Sequence, residues 1–321
     1  MSPHGRTKGE YRSAQHEGAP MRAPHRSLPR PSRGFTLIEL TLVIVIAGVL
    51  AATLAVFMRP AIDSYISSGN RAELTDQADT ALRRMLRDIR LAVPNSVRSP
   101  GSQCVEVVPT SSGGRLRMQS DTSNDVGLPC TPGTTCSAPL DTSQATTTVD
   151  VLTPFSATPA VGDWLVLGNV NPNDVYAGVN RAAITGVAAP PATTQGKSRL
   201  TIASTQFPPG YDSGRFAIVP NSQKAVFYTC VGADGTVDAS GDGKGTLYRS
   251  SNYGFNAAYP TSCPSAAGAD VVATKVRSCT FSYDPNPGGT QQYGFVWLDV
   301  ELARNNETVG LASGAHVLNA P

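Results

Sequence analysis

The sequence predicts an α+β protein in which a long N-terminal helix, transmembrane in its first half and amphipathic in its second, packs on a mostly antiparallel β head. Three observations predict it. Residues 35–58 read FTLIELTLVIVIAGVLAATLAVFM, an unbroken apolar run with a single charge. Through 74–93, apolar residues recur at spacings of three and four, the period of one helix face. After Pro94 that period gives way to short β-type runs separated by turn formers.

Residues 1–34 are a basic leader. Arg6, Lys8, Arg12, Arg22, Arg26, Arg30 and Arg33 face only Glu10 and Glu17 there, whereas the chain as a whole carries a formal charge of +2. The rest, with 19 basic and 22 acidic residues, is mildly acidic at −3. Such a body has no basic face for phosphates, which argues against a nucleic-acid partner. Met21 is a second candidate start, leaving a 14-residue leader that keeps Arg22, Arg26, Arg30 and Arg33.

Residues 35–58 are long enough to cross a bilayer, which takes about 20 helical residues. A cleaved secretory signal would have a shorter apolar stretch ending in a small-residue site. The positive-inside rule places the leader in the cytoplasm and everything after the span across the membrane. Glu39 breaks the pattern. A carboxylate in an apolar helix costs a few kcal/mol on insertion scales unless it has a partner or lies near the headgroups.

Residues 59–93 continue the helix. Leu74, Ala78, Ala81, Leu82, Met85, Ile89, Ala92 and Val93 form the stripe that must lie on a globular body, with Arg83, Arg84, Arg87, Asp88 and Arg90 on the other faces. Pro60 and Gly69 are candidate bends, and Pro94-Asn95-Ser96 ends the helix. A continuous helix over 35–93 would be roughly 90 Å long.

The head, residues 94–321, holds eight strand-like runs: 104–108, 116–118, 164–167, 215–219, 225–230, 246–249, 279–283 and 295–302. The last alternates, with Phe295, Trp297, Asp299 and Glu301 on one face and Val296, Leu298, Val300 and Leu302 on the other. No ten-residue helical period separates the runs, so parallel βαβ units are not expected. The Ser/Thr/Asn/Gly/Pro-rich stretches 120–150 and 171–197 read as surface loops.

Cys104, Cys130, Cys136, Cys230, Cys263 and Cys279 all follow the span, and an even count in an oxidising compartment reads as disulfides. Cys130 and Cys136 bracket a five-residue loop and are the easiest pair to close. The other four allow three pairings. Zinc is the rival reading, but there is no C-x-x-C pair and His316 is the only histidine beyond the leader. With one histidine, a two-histidine metal site is excluded and a catalytic triad would have to use His316, so the sequence points away from an enzyme and its cofactors.

Gly241-Asp242-Gly243-Lys244-Gly245 lacks the spacing and the following helix of a phosphate-binding loop and reads as a tight turn. Within it Asp238, Ser240 and Asp242, followed by Gly243, reproduce the opening of a calcium loop, with Asp234 nearby. Arg249 stands where the closing glutamate belongs, so calcium and a plain hydrated turn are both open readings.

Two resemblances give these features a context. Arg33-Gly34-Phe35-Thr36-Leu37-Ile38-Glu39-Leu40 resembles the type IV prepilin processing site: a basic residue, Gly, the cleavage point, Phe, and Glu fifth in the mature chain. It implies that a membrane-embedded prepilin peptidase cuts between Gly34 and Phe35 and methylates the Phe35 amine. It also implies that Glu39 serves assembly, its charge pairing with the N-terminal ammonium of a neighbouring subunit, and that the fold is pilin-like.

Residues 80–97 (TALRRMLRDIRLAVPNSV), Gly162-Asp163-Trp164, Asn180-Arg181-Ala182 and Gly314-Ala315-His316-Val317-Leu318-Asn319 are similar to the O-type minor pilins of mannose-sensitive haemagglutinin (MSHA) pilus systems. The J-type pseudopilins of type II secretion are wider relatives. The resemblance implies a structural subunit of a filament at the cell surface. Other pilins pack against its helix, and an assembly ATPase and platform protein act on it indirectly. The alternatives are a pseudopilin of type II secretion and an adhesive subunit at the tip acting through the polar loops.

Overall fold

The computed structural model describes residues 34–125, 130–131, 134–210, 213–251, 253–286 and 293–319. Residues 1–33 of the leader, with Met21 and Arg33, lie outside them. The chain divides into two compact units, Met1–Pro60 and Ala61–Pro321.

Helix α1 runs Leu37–Arg90, with Pro60 inside it. It starts two residues later than the sequence predicts because Thr36 caps it, its hydroxyl accepting the Glu39 N–H at 3.2 Å. It ends three residues earlier because Ala92 and Val93 leave the helix for sheet-type contacts: Ala92 bridges Pro109, and the Val93 N–H donates to the Val108 carbonyl. In the first unit every described side chain is exposed, among them Leu42, Ile44, Val49 and Phe57.

In the second unit all eight stripe residues are buried. Val93 packs in a separate cluster with Val108, Val166 and Tyr176, whereas Leu74 to Ala92 meet the inner face of a seven-stranded sheet ordered β1-β2-β9-β10-β11-β12-β13. Its strands are β1 (Arg98–Gly101), β2 (Cys104–Val107), β9 (Val226–Val231), β10 (Gly245–Ser250), β11 (Asp270–Asp284), β12 (Tyr293–Arg304) and β13 (Glu307–Leu318). The alternation read in 295–302 holds: Val296, Leu298, Val300 and Leu302 are fully buried, while Trp297 and Asp299 are exposed. Asn305 and Asn306, at φ 50° and 63°, make the two-residue turn that fixes the β12–β13 register. Polar pairs rim the helix: Glu73 with Arg304, and Ser67 and Arg71 with Glu307.

A second, six-stranded sheet is ordered β3-β8-β5-β6-β7-β4. It comprises β3 (Ser112–Arg115), β4 (Thr146–Val151), β5 (Trp164–Leu167), β6 (Arg181–Ala188), β7 (Ser198–Thr205) and β8 (Arg215–Val219), with the short helix α2 (Asp174–Ala177) between β5 and β6. Every neighbouring pair in both sheets is antiparallel. This sheet has its own core, including Leu116, Val149, Leu165, Ile184, Leu200 and Ile218.

Here the loop expectation needs correcting. β4 lies partly within 120–150, and α2 and β6 lie within 171–197. Thr-rich strands such as Thr146-Thr147-Thr148 carry little hydrophobic signal, yet their β-branched side chains suit a pleat once β7 is alongside. The strand expected at 116–118 is displaced to Ser112–Arg115, and Leu116 makes only a bridge to Val151. β1, β7 and β13 have no counterpart among the predicted runs.

Candidate functional site

The N-terminal residues come first. Gly34 precedes the helix, and a Cβ built on it would meet nothing within 4 Å. Phe35 is 79% exposed, so the Gly34–Phe35 bond stands clear of folded structure among the described residues. Glu39 lies in the first turn of α1, where the helix dipole favours a negative charge. It is exposed, and no ionic partner for it exists among the described residues. The arrangement is an accessible peptide bond followed by an apolar helix with one carboxylate still to be matched.

The six cysteines form three disulfides: Cys104–Cys263, Cys130–Cys136 and Cys230–Cys279. The short pair is the one its spacing singled out. Proximity in space, not in sequence, settles the others: Cys104 of β2 meets Cys263 in the 251–269 connection, and Cys230 of β9 reaches Cys279 of β11. Among the described residues, the group best placed to hold a metal is Asp125 with Cys130 and Cys136. The two sulfurs there are bonded to each other, and Asp125 accepts from the Ser137 N–H and hydroxyl, so they are not available as ligands.

The 232–244 connection is a turn closed by a Val237–Gly243 bridge. Asp238 Oδ1 accepts the Ser240 and Asp242 N–H groups at 2.8 and 3.0 Å. Asp242 holds the Lys275 ammonium at 2.7 Å and accepts the Asn305 N–H, and these contacts keep its carboxyl below the usual carboxylate range. Asp234 is likewise lowered, chiefly by the Thr236 hydroxyl. The Asp238 and Asp242 carboxylates are thus committed to the turn and to Lys275, and a calcium ion at Asp238, Ser240 and Asp242 would have to displace that ammonium. Arg249 points elsewhere, into a buried cluster where it binds Asp88 at 3.0 Å and the Tyr228 hydroxyl at 3.2 Å. His316 is exposed on β13, its ring 5.0 Å from that of Phe295 and 6.4 Å from that of Tyr293.

Sequence reasoning missed the buried ionic clusters. Arg98 and Glu106 are both fully buried, with Nη1 to Oε2 at 3.4 Å. The Arg98 guanidinium lies 3.4 Å from the Tyr176 ring centroid and donates to the Asn256 carbonyl and to Asn173 Oδ1. Tyr253 donates to Glu106 at 2.7 Å. Arg199 grips Asp150 through two nitrogens and also reaches the Thr134 and Cys136 carbonyls, tying the small disulfide loop to β4. The available signal was a charge inside a strand-like run, Glu106 in Cys104–Val108, since a buried carboxylate requires a partner.

A family model described as the prokaryotic N-terminal methylation motif matches residues 29–55. Neither curated proteins nor solved structures yield a match to the chain. α1 contains a stretch long and apolar enough to cross a membrane. The motif implies prepilin peptidase processing and pilin assembly, and with the apolar helix and the antiparallel head it supports a membrane-anchored, pilin-like protein.

Proposed function

We propose that the chain is a minor pilin of an MSHA-like type IV pilus, a structural subunit that enters or primes the filament and performs no chemistry of its own. Prepilin peptidase cuts after Gly34 and methylates Phe35. The protein waits in the inner membrane with its head in the periplasm, and assembly then moves it to the cell surface. One observation carries this reading. Glu39 is the sole charge in the apolar run, stands fifth after the cleavage point, and has no partner among the described residues. A neighbour's N-terminal ammonium would supply that partner, because opposite charges attract far more strongly at low dielectric than in water.

Two measurements test it. N-terminal sequencing of the assembled protein is expected to start at methylated Phe35, with Gly34→Ala processed better than a bulky replacement. Finding Met1 or Met21 there defeats the proposal. Glu39→Leu is expected to insert into the membrane at least as well as the parent, since it removes about 2–3 kcal/mol of insertion cost. Its recovery in sheared filaments should nevertheless drop severalfold, and undiminished recovery would remove Glu39 from assembly.

A further inference from the structure

A cleft of about 720 Å³ opens in the second unit where residues 90–94 leave α1 beside β3 and β8. Its apolar wall includes Leu91, Val166, Phe216 and Leu318. Three arginines line it, Arg90, Arg115 and Arg215, and no carboxylate does. All three are exposed, and none has an ion pair among the described residues. Elsewhere in the head Arg98, Arg199, Arg249, Arg277 and Arg304 each hold an Asp or Glu.

Two further facts define what would fit. Arg115 and Arg215 are direct partners in the β3–β8 register. Like charges placed opposite each other across a ladder destabilise it, and an incoming carboxylate would relieve that repulsion. β3 is also the edge strand of its sheet. The Leu116 N–H bonds to the Gly214 carbonyl, and the ladder's alternation then turns Ser112 and Gly114 towards β8 and leaves Gly113 and Arg115 facing away. The Arg115 backbone is satisfied by Thr153 and Leu152, but no bond to the outward Gly113 N–H or carbonyl exists among the described residues.

We propose that this cleft binds an extended acidic segment of a partner protein, which pairs with the Gly113 edge and sets its carboxylates against Arg115, Arg215 and Arg90. The residues alternating with the acids would point away from the arginines, since successive residues of a strand point to opposite sides. The proposal stands on the head alone and does not depend on the N-terminal motif.

The test uses the full chain in detergent and fluorescence anisotropy with a short labelled peptide of alternating Glu and Val. Three comparison probes accompany it: the same peptide with Gln for Glu, one with alternate backbone amides methylated, and an oligogalacturonate as a non-peptide polycarboxylate. The Glu peptide is expected to bind at least about tenfold more tightly than each comparison probe, and to weaken steeply with salt. Arg115→Glu, which places an opposite charge across from Arg215, is expected to leave the melting temperature unchanged or raised while weakening the Glu peptide at least about tenfold. Equal binding of the Gln peptide or of the oligogalacturonate overturns the proposal, and so does insensitivity to Arg115→Glu. Should that variant misfold, the probe comparisons on the unaltered chain decide.

Discussion

Replacing Cys104 and Cys263 together by serine is expected to destabilise the head more than removing either other disulfide. These cysteines are 159 residues apart, against 49 for Cys230–Cys279 and 6 for Cys130–Cys136. In the chain-entropy account, a bridge stabilises by restricting the unfolded chain, and the restriction grows with the logarithm of the loop. The three bridges are then worth about 5, 4 and 2 kcal/mol in that order, as upper bounds that do not add because the two long loops overlap. The measurement is a denaturant or thermal melt of each double variant, full length in detergent. Thiol titration of the denatured, unreduced parent should find no free cysteine. If loss of Cys130–Cys136 proves the costliest, the entropic ranking fails and the Arg199–Asp150 cluster behind that loop becomes the explanation.

Arg98→Met should cost about 3–5 kcal/mol, because it leaves the Glu106 carboxylate buried without its cation. It also deprives the Asn256 carbonyl and the Asn173 side chain of their donor and uncovers the Tyr176 ring. The loss carries a pH signature. Burial pushes the Glu106 carboxyl above its ordinary value of 4.5, against the lowering influence of Tyr253 and Arg98. A carboxyl raised in the folded state binds its proton more tightly there than in the unfolded chain. Its contribution is therefore most favourable below 4.5 and is lost as the pH rises through the folded value. Removing Arg98 raises that value further, so the deficit of the variant relative to the parent should grow between pH 5 and pH 8. Urea melts at the two pH values measure it. A deficit independent of pH would mean that lost packing, not the stranded carboxylate, dominates.

Local and periodic features were legible in the sequence. A membrane-length apolar run, the carboxylate within it, the three-four stripe from Leu74 to Ile89 and the two-residue alternation of 295–302 each lie within one element. Each reflects a solvent contrast that the chain carries wherever it folds: lipid against water, or core against surface. The closing of Cys130–Cys136 was legible for the same reason, since nearness in sequence alone brings those residues together.

What joins distant segments was not legible. The polar stretches 120–150 and 171–197 supply a strand, a short helix and another strand of the six-stranded sheet because partners elsewhere satisfy their backbone groups, and Thr, Gly and Ser do not announce such partners. Arg249 illustrates the limit best. In sequence it stands where a calcium loop would place its closing glutamate, and in the fold it binds Asp88, 161 residues earlier. Likewise Asp242 is held by Lys275, and Arg115 faces Arg215. The sequence by itself determined the membrane-length helix, its processing motif and the alternation of faces, since these follow from the period of a single element. Only the tertiary structure decided which charges are paired, which four cysteines join and where a cleft stays open, because those outcomes depend on the register between strands far apart in the chain.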